Sequence, residues 1–288
     1  MLVEKKLQDI VDQLTGMDDI FFHKLAEDKG FCEELIQVVL ENKTLKVAEY
    51  TAQDSIRNIK GRSVVLDLKC VSADDKIINV EIQKENRDDH QRRVRYNAAN
   101  IDTAESEKGV KFEELKDIYI IYISKFDLFG KDKTIYHINR VINETQDIVE
   151  NGVHEIYVNT KVDDGTEIVE YMKLLKGSGI PDNPKFPKIC GAIKNIKTGM
   201  GDDSMCNLVQ EYADEEKVKL MVKCYVNDAL PVNTAAEMLD MAEEQFLEYV
   251  ERYREDKVLV ELYKEGTLSA EAAAKKLQIE FYRLCGGI

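Results

Sequence analysis

The chain has 288 residues, of which 44% are hydrophobic and 33% charged, so it can bury a sizeable core and is not a disordered protein. Its net charge of −15 means that any function based on nucleic-acid phosphates needs a local basic patch against an unfavourable overall field. No apolar run approaches the roughly 20 residues of a membrane span, and residues 1–6 turn polar at once, unlike a secretion signal. We therefore expect a cytoplasmic protein with no membrane partner.

The cysteine pattern narrows the class further. None of the six cysteines forms a C-x-x-C pair, which argues against a zinc ribbon or a thioredoxin-like redox motif. Scattered single cysteines are typical of reduced core thiols in a cytosolic protein. The six are Cys32, Cys70, Cys190, Cys206, Cys224 and Cys285.

The first half of the chain changes from helical to strand-like spacing. Residues 1–44 repeat apolar side chains at helical intervals, with Asp18 or Asp19 as a helix cap. Residues 63–71 and Ile77–Gln83 are β-branched and apolar, and the turn residues 72–76 separate them, which predicts a hairpin. The thin apolar stripe in residues 87–105 predicts a helix after the hairpin.

The second half predicts more strands and then an all-helical region. Residues 117–124, 134–141 and 154–160 have strand composition, and residues 167–175 return to helical spacing. The segment 176–184 contains two Gly and two Pro and is the best linker candidate. We therefore predict a first domain over residues 1–176 and a helical C-terminal region over residues 185–288.

The C-terminal region is acidic and contains an internal echo. Residues 202–265 hold 17 acids and 7 Lys or Arg, a local charge of −10. Residues 230–241 and 268–279 share Leu, Ala-Ala, Leu and Met/Ile at the same offsets, which is the pattern of a helix-turn-helix. Because the first copy is acidic, we favour packed helical hairpins over a DNA-reading module.

Two acids and an amide form the candidate site for chemistry. Asp67 lies inside an apolar strand, where an acid is costly unless it is paired or binds a metal. Glu81 and Gln83 are two residues apart and share one strand face, and the hairpin places the two strands about 5 Å apart. Asp67 and Glu81 could thus bind one Mg²⁺ with a backbone carbonyl and waters. A solvent-exposed strand face with the same residues is the competing interpretation.

A basic segment follows the hairpin. Lys84, Arg87, Arg92, Arg93 and Arg95 fall within twelve residues, and Tyr96 lies near Arg92 and Arg93 on a helix. Such cations can hold DNA phosphates, so Arg87, Arg92, Arg93 and Tyr96 are DNA-binding candidates. The alternative is a solvated helix face with Asp–Arg pairs four residues apart.

These residues resemble a known family. Asp67 followed by Glu81-x-Gln83 is similar to the Asp…Glu-x-Lys signature of the PD-(D/E)XK nuclease superfamily, with Gln in the place of Lys. The chain resembles in particular the Rpn-like recombination-promoting nucleases and transposases, over roughly residues 17–176. The ordered blocks that carry the resemblance are residues 18–22 (DDIFF), 65–68 (VLDL), 79–83 (NVEIQ), 93–96 (RVRY) with 101–102 (ID), 119–130 (YIIYISKFDLFG) and 154–160 (HEIYVNT).

The resemblance implies a fold, an activity and a set of site residues. The fold would be a restriction-endonuclease-like α/β core, with a mixed central sheet flanked by helices. The activity would be Mg²⁺-dependent cleavage of DNA phosphodiesters, with Mn²⁺ as a second metal, in recombination or element mobility. Asp67 and Glu81 would bind the metal, with the carbonyl of Ile82 as a third ligand. Gln83 would take the place of the lysine that orients the attacking water, and Lys84, which points to the other face, would not substitute for it.

Two other functions stay open at this point. An amide cannot supply a full positive charge, so Gln83 and the charge of −15 also favour a nuclease-like module that only binds DNA or a protein. The acidic helical tail is a candidate for homodimerisation or for restraint of the nuclease.

Overall fold

A mixed six-stranded sheet forms the centre of the fold. The computed structural model describes residues 11–56, 64–84, 86, 90–106, 111–199, 203–227 and 229–254. Its strands are β1 (Val47–Ile56), β2 (Val64–Ser72), β3 (Ile77–Gln83), β4 (Ile118–Ser124), β5 (Ile135–Ile138) and β8 (Val153–Asn159). They lie in the order β1-β2-β3-β4-β8-β5. Strands β3, β4 and β8 are parallel, and the pairs β1–β2, β2–β3 and β5–β8 are antiparallel.

The predicted hairpin is the β2–β3 pair. Leu68 pairs with Val80 and Val71 with Ile77, and the turn closes where the Ser72 N–H donates to the Lys76 carbonyl at 2.9 Å. Every residue of β3 is buried because strands lie on both its sides. The polar residues of β3 therefore have to be satisfied inside the protein or at a site.

The strands from residue 117 onward also follow the prediction. β4 and β8 occupy the predicted runs, while the predicted strand at residues 134–141 is divided into β5 and the short β6 (Arg140–Val141). β6 pairs with β7 (Ile148–Val149) in a separate two-stranded sheet.

Helices flank the sheet. The helix after the hairpin, α3 (His90–Glu105), covers a core formed with β2, β3 and β4 through Val94, Ala98 and Ile101. Helix α1 (Asp19–Ala26) packs against β1 and β2, and helix α2 (Lys29–Val39) packs against β1. The next helices are α4 (Glu167–Lys176) and α5 (Pro187–Thr198), both in contact with α2.

The helix starts are set by local hydrogen bonds. Asp28 caps α2, because its Oδ1 accepts from the Phe31 N–H at 2.9 Å. Asp18 lies at the N-cap position of α1, but its carboxylate accepts from the Thr15 N–H and hydroxyl at 2.9 and 2.7 Å instead of from a helix N–H. The acid thus fixes the segment that leads into α1.

The chain divides into two compact units, residues 1–209 and 210–288. Helix α5 lies in the first unit and packs on α1 and α2, although it follows the Gly- and Pro-containing segment 176–184. The buried Lys197 attaches it, since Nζ donates to the carbonyls of Asp12 and Leu14 at 2.8 Å and to that of Ser178. The predicted division into residues 1–176 and 185–288 stays a prediction.

The second unit has its own small core. Helix α6 (Asp203–Val226) enters it, and α7 (Val232–Met238) and α8 (Glu243–Arg254) follow. Ala235 and Ala236 of α7 pack with Phe246 and Val250 of α8. The first copy of the internal echo, residues 230–241, is therefore a short helix followed by a turn that leads into α8; the second copy lies outside the described residues.

Two smaller expectations concern thiols and membranes. Among the cysteines whose side chains the structure describes, Cys32, Cys70 and Cys190 are buried free thiols, and Cys224 is a half-buried one. In the part of the chain that the structure describes, no helix combines the length and apolar composition of a membrane span.

Candidate active site

The β2–β3 hairpin brings Asp67 next to Glu81. The last residue pair in register between the two strands is Leu68 with Val80. Asp67 and Glu81 each lie one residue farther from the hairpin turn. Beyond that point Asp67 Oδ2 accepts a hydrogen bond from the Ile82 N–H at 2.8 Å. A side chain of β2 therefore satisfies the backbone of β3 where the ladder opens. The two acids thus lie on neighbouring strands just beyond the last residue pair in register, and their binding of one cation stays a prediction.

Glu81 is a buried acid with a raised pKa. Its side chain is 2% exposed, and Oε1 accepts from Asn79 Nδ2 at 3.0 Å. Burial, and next the negative charge of Asp67, raise the pKa of Glu81 to about 8. The charge of Arg93 and the hydrogen bonds to Glu81 act in the opposite direction. A divalent cation between the two acids would remove the repulsion that raises this pKa.

Gln83 ends the same strand face. It is 6% exposed and lies opposite Ser124 of β4. Its carbonyl accepts from the Lys125 N–H at 3.0 Å and so points towards β4. Because the N–H and C=O of one strand residue point to the same side, the carbonyl of Ile82 faces β2, as its N–H does. The Ile82 carbonyl thus lies on the same edge of β3 as the N–H that Asp67 accepts from.

This donor set fits a hard divalent cation. Among the described residues, no group of three or more His, Cys, Asp or Glu side chains is arranged to hold a metal ion. The candidate site has only two such side chains, Asp67 and Glu81, and its third oxygen donor would be a backbone carbonyl. Oxygen donors of this kind suit Mg²⁺ or Mn²⁺, which keep several water ligands in addition.

Asp67 also lies close to helix α1, and the sequence analysis did not predict this proximity. His23 of α1 places Nε2 3.6 Å from Asp67 Oδ1. The other ring nitrogen, Nδ1, lies 2.5 Å from the side-chain amide nitrogen of Gln53, whose φ of +54° marks a distorted point in β1. His23 therefore lies between β1 and Asp67, and its Nε2 forms no hydrogen bond with any residue that the structure describes.

A buried histidine contacts the strand next to Glu81. Tyr122 is in register with Glu81, and its hydroxyl is 2.6 Å from His90 Nδ1. His90 is 1% exposed, and its Nε2 lies 3.1 Å from Asn86 Oδ1. This pair fixes the start of α3 beside the acids. Its only sequence signal was the position of His90 at the predicted start of a helix.

The predicted basic residues have different environments. Arg93 is half-buried and close enough to Glu81 to lower its pKa. Arg92 is exposed, and Tyr96 is half-buried against the core of α3. Arg87 lies outside the described residues. Lys84 contacts Asp18 in front of α1, as expected from a side chain on the other face of β3.

The comparison with known families agrees with this geometry. The model of the PD-(D/E)XK nuclease family transposases matches residues 20–175, more than half of the chain. The chain belongs to this family. The comparisons with curated proteins and with solved structures gave no match.

Membership of this family confirms the expected fold. The mixed central sheet with flanking helices is a restriction-endonuclease-like α/β core, and the matched residues 20–175 run from α1 to α4. It also supports a nuclease-like function linked to mobile elements, with DNA as the substrate class of such nucleases. The residues that would perform the cleavage are a matter of proposal.

Proposed function

We propose that the chain is a divalent-metal-dependent endonuclease that hydrolyses DNA phosphodiester bonds in recombination or in the movement of mobile elements. The observation that carries the proposal is the buried Glu81, whose pKa the neighbouring Asp67 helps to raise to about 8. Without a cation, a buried carboxylate that also feels the charge of a second acid is unfavourable for the fold. Perturbed acids of this kind are characteristic of functional sites.

Asp67, Glu81 and the carbonyl of Ile82 would hold a Mg²⁺ or Mn²⁺ ion. When bound, such an ion lowers the pKa of a water molecule and neutralises charge that develops on a phosphate. The protein positions the ligands: the Ile82 N–H orients one oxygen of Asp67 at 2.8 Å, and Asn79 orients one oxygen of Glu81 at 3.0 Å. The Nε2 atom of His23 lies 3.6 Å from the other oxygen of Asp67.

Gln83 would act on the water or the phosphate by hydrogen bonding alone. Its amide can donate to a phosphate oxygen and accept from a water, but it carries no charge and cannot act as a base. Arg93 is the residue of the predicted basic helix whose charge lowers the pKa of Glu81. The rate would therefore depend strongly on the metal.

Cleavage of supercoiled plasmid DNA tests the proposal. In Mg²⁺ or Mn²⁺ we expect nicking by the parent chain and a loss of at least about 100-fold in Asp67→Asn and in Glu81→Gln, since each removes a charged ligand worth several kcal/mol. Glu113→Gln, at a side chain that is 75% exposed and precedes the amino end of β4, is the matched control and keeps the parent rate. Equal cutting by all four proteins rules out this site.

A nuclease-like module without catalysis is the second candidate function. It is favoured by Gln83 in the place of the motif lysine and by the charge of −15. It predicts that the parent chain leaves the plasmid intact in both metals and still retards DNA or a protein partner. Metal-dependent nicking that disappears in Asp67→Asn decides against it.

A further inference from the structure

Three lysines meet where the parallel strands end. Gln83, Ser124 and Asn159 form one row across β3, β4 and β8. Lys84 and Lys125 are the next residues after the first two strands. Lys176 reaches the same row from the end of α4, because its Nζ donates to the Thr160 carbonyl at 2.8 Å and the Thr160 N–H donates to the Ser124 carbonyl at 2.9 Å.

These amines are close enough to repel one another. Partial desolvation lowers the pKa of Lys125, and the charges of Lys84 and Lys176 lower it further. Asp18 acts in the opposite direction, but its carboxylate is already in contact with Lys84. Lys125 itself forms no salt bridge with any residue that the structure describes. The group holds three ammonium ions against one carboxylate, in a chain of net charge −15.

An anion bound at this place would relieve the repulsion. In open α/β sheets, ligands bind at the carboxyl ends of the parallel strands, and this row lies at the ends of β3 and β4. Lys84 and Lys125 directly follow Gln83 and Ser124 along the chain, so an anion here lies at the strand ends, on the side opposite to the Gln83 side chain. Lysine ammonium groups are point charges that hold phosphates without a required orientation.

We infer that Lys84, Lys125 and Lys176, which we call the lysine cluster, bind the phosphates of a DNA strand that passes over the ends of β3 and β4. The choice of DNA rests on the proposed function. Contacts of this type position the nucleic acid and carry no sequence information. The lysine cluster thus supplies the local basic patch that an acidic nuclease requires.

Binding of fluorescein-labelled DNA duplexes, followed by anisotropy in EDTA so that no cleavage occurs, tests the inference on the full chain. Lys125→Gln should weaken binding about 3- to 10-fold for two duplexes of unrelated sequence. It should also reduce the slope of log K against log salt concentration by about 1, the effect of one lost phosphate contact. Lys84→Gln combined with Lys125→Gln should reduce the slope by about 2. Lys125→Arg keeps the charge and should keep the parent slope.

Lys116→Gln is the matched control, because Lys116 precedes the same strand, β4, at its amino end and pairs there with Asp75 at 2.7 Å. It should bind DNA with the parent affinity. An unchanged slope in Lys125→Gln, an equal loss in Lys116→Gln, or no DNA binding by the parent overturns the lysine cluster. Binding without plasmid nicking contradicts the proposed nuclease activity and leaves the cluster supported, so the two failures are distinguishable.

Discussion

Gln83 is the residue that would limit the rate of the proposed cleavage. It lies on the face of β3 that carries Glu81, and 6% of it is exposed. A lysine at this position would place a charge beside the scissile phosphate in a site of low dielectric, where fixed charges act strongly. We expect Gln83→Lys to raise the rate of plasmid nicking about 10-fold or more in Mg²⁺, equivalent to roughly 1.4 kcal/mol.

The control for this gain is Gln91→Lys, which adds the same charge at an exposed position of α3. Both variants have the same net charge, so a general attraction for DNA affects them equally. A gain of the same size in both would assign the effect to charge instead of position. No gain in Gln83→Lys would show that the amide does not limit the rate.

Glu81 links the site to the stability of the fold. Its folded pKa of about 8 lies above the ordinary value of 4.5, so the folded state binds the proton more tightly than the unfolded state. Its contribution is therefore fully present below pH 4.5 and is lost as the pH rises from about 4.5 to 8. In EDTA we expect the free energy of unfolding to fall by about 2–4 kcal/mol over this range because of this group.

Urea denaturation at a series of pH values measures this change. Glu81→Gln cannot ionise and should lose most of the decrease, whereas Glu113→Gln, at an exposed acid, should retain it. The same pH dependence in the parent and in Glu81→Gln would contradict the assigned protonation. Divalent metal should reduce the decrease in the parent, because it binds the ionised acids.

At the scale of elements, sequence patterns located most of the sheet. The runs that became β2, β3, β4 and β8 are β-branched and lie between turn residues, so propensity and burial agree there. β1 was not predicted. It is an edge strand with a mostly polar sequence and few buried residues, and such a strand forms because β2 offers a partner.

The same contrast applies to the candidate site. The proximity of Asp67 and Glu81 followed from hairpin geometry, and Asn79 was detectable because it shares the alternating face of Glu81 and Gln83. The approach of His23 to Asp67 was not detectable, since it depends on the packing of α1 across β1 and β2 and on the distorted backbone at Gln53. Contacts between distant segments have no local sequence signal.

At the scale of the whole molecule, charge and structure are distributed unequally. The acid site and the lysine cluster lie in the first unit, whereas most of the −10 charge of residues 202–265 belongs to the second. Like charge disfavours DNA near the second unit. Its predicted roles are therefore interactions between proteins, either homodimerisation or restraint of the nuclease.

Because the second unit has its own core, we expect it to lose stability separately from the first. Phe246 of α8 is fully buried and packs edge-on against Tyr225 at 5.8 Å between ring centroids. Phe246→Ala should destabilise the second unit by about 3–5 kcal/mol and make residues beyond 210 sensitive to protease at temperatures where the first unit stays folded. Leu247→Ala, at the neighbouring residue that is 39% exposed, is the control and should have little effect.

Calorimetry should show one transition shifted and one unchanged in Phe246→Ala, because the Phe246 side chain contributes to the core of the second unit and the first unit has a separate core around α3. A single transition that shifts as a whole would mean that the two units unfold together, and a helical tail that melts with the nuclease would be part of its stability instead of a separate interaction module.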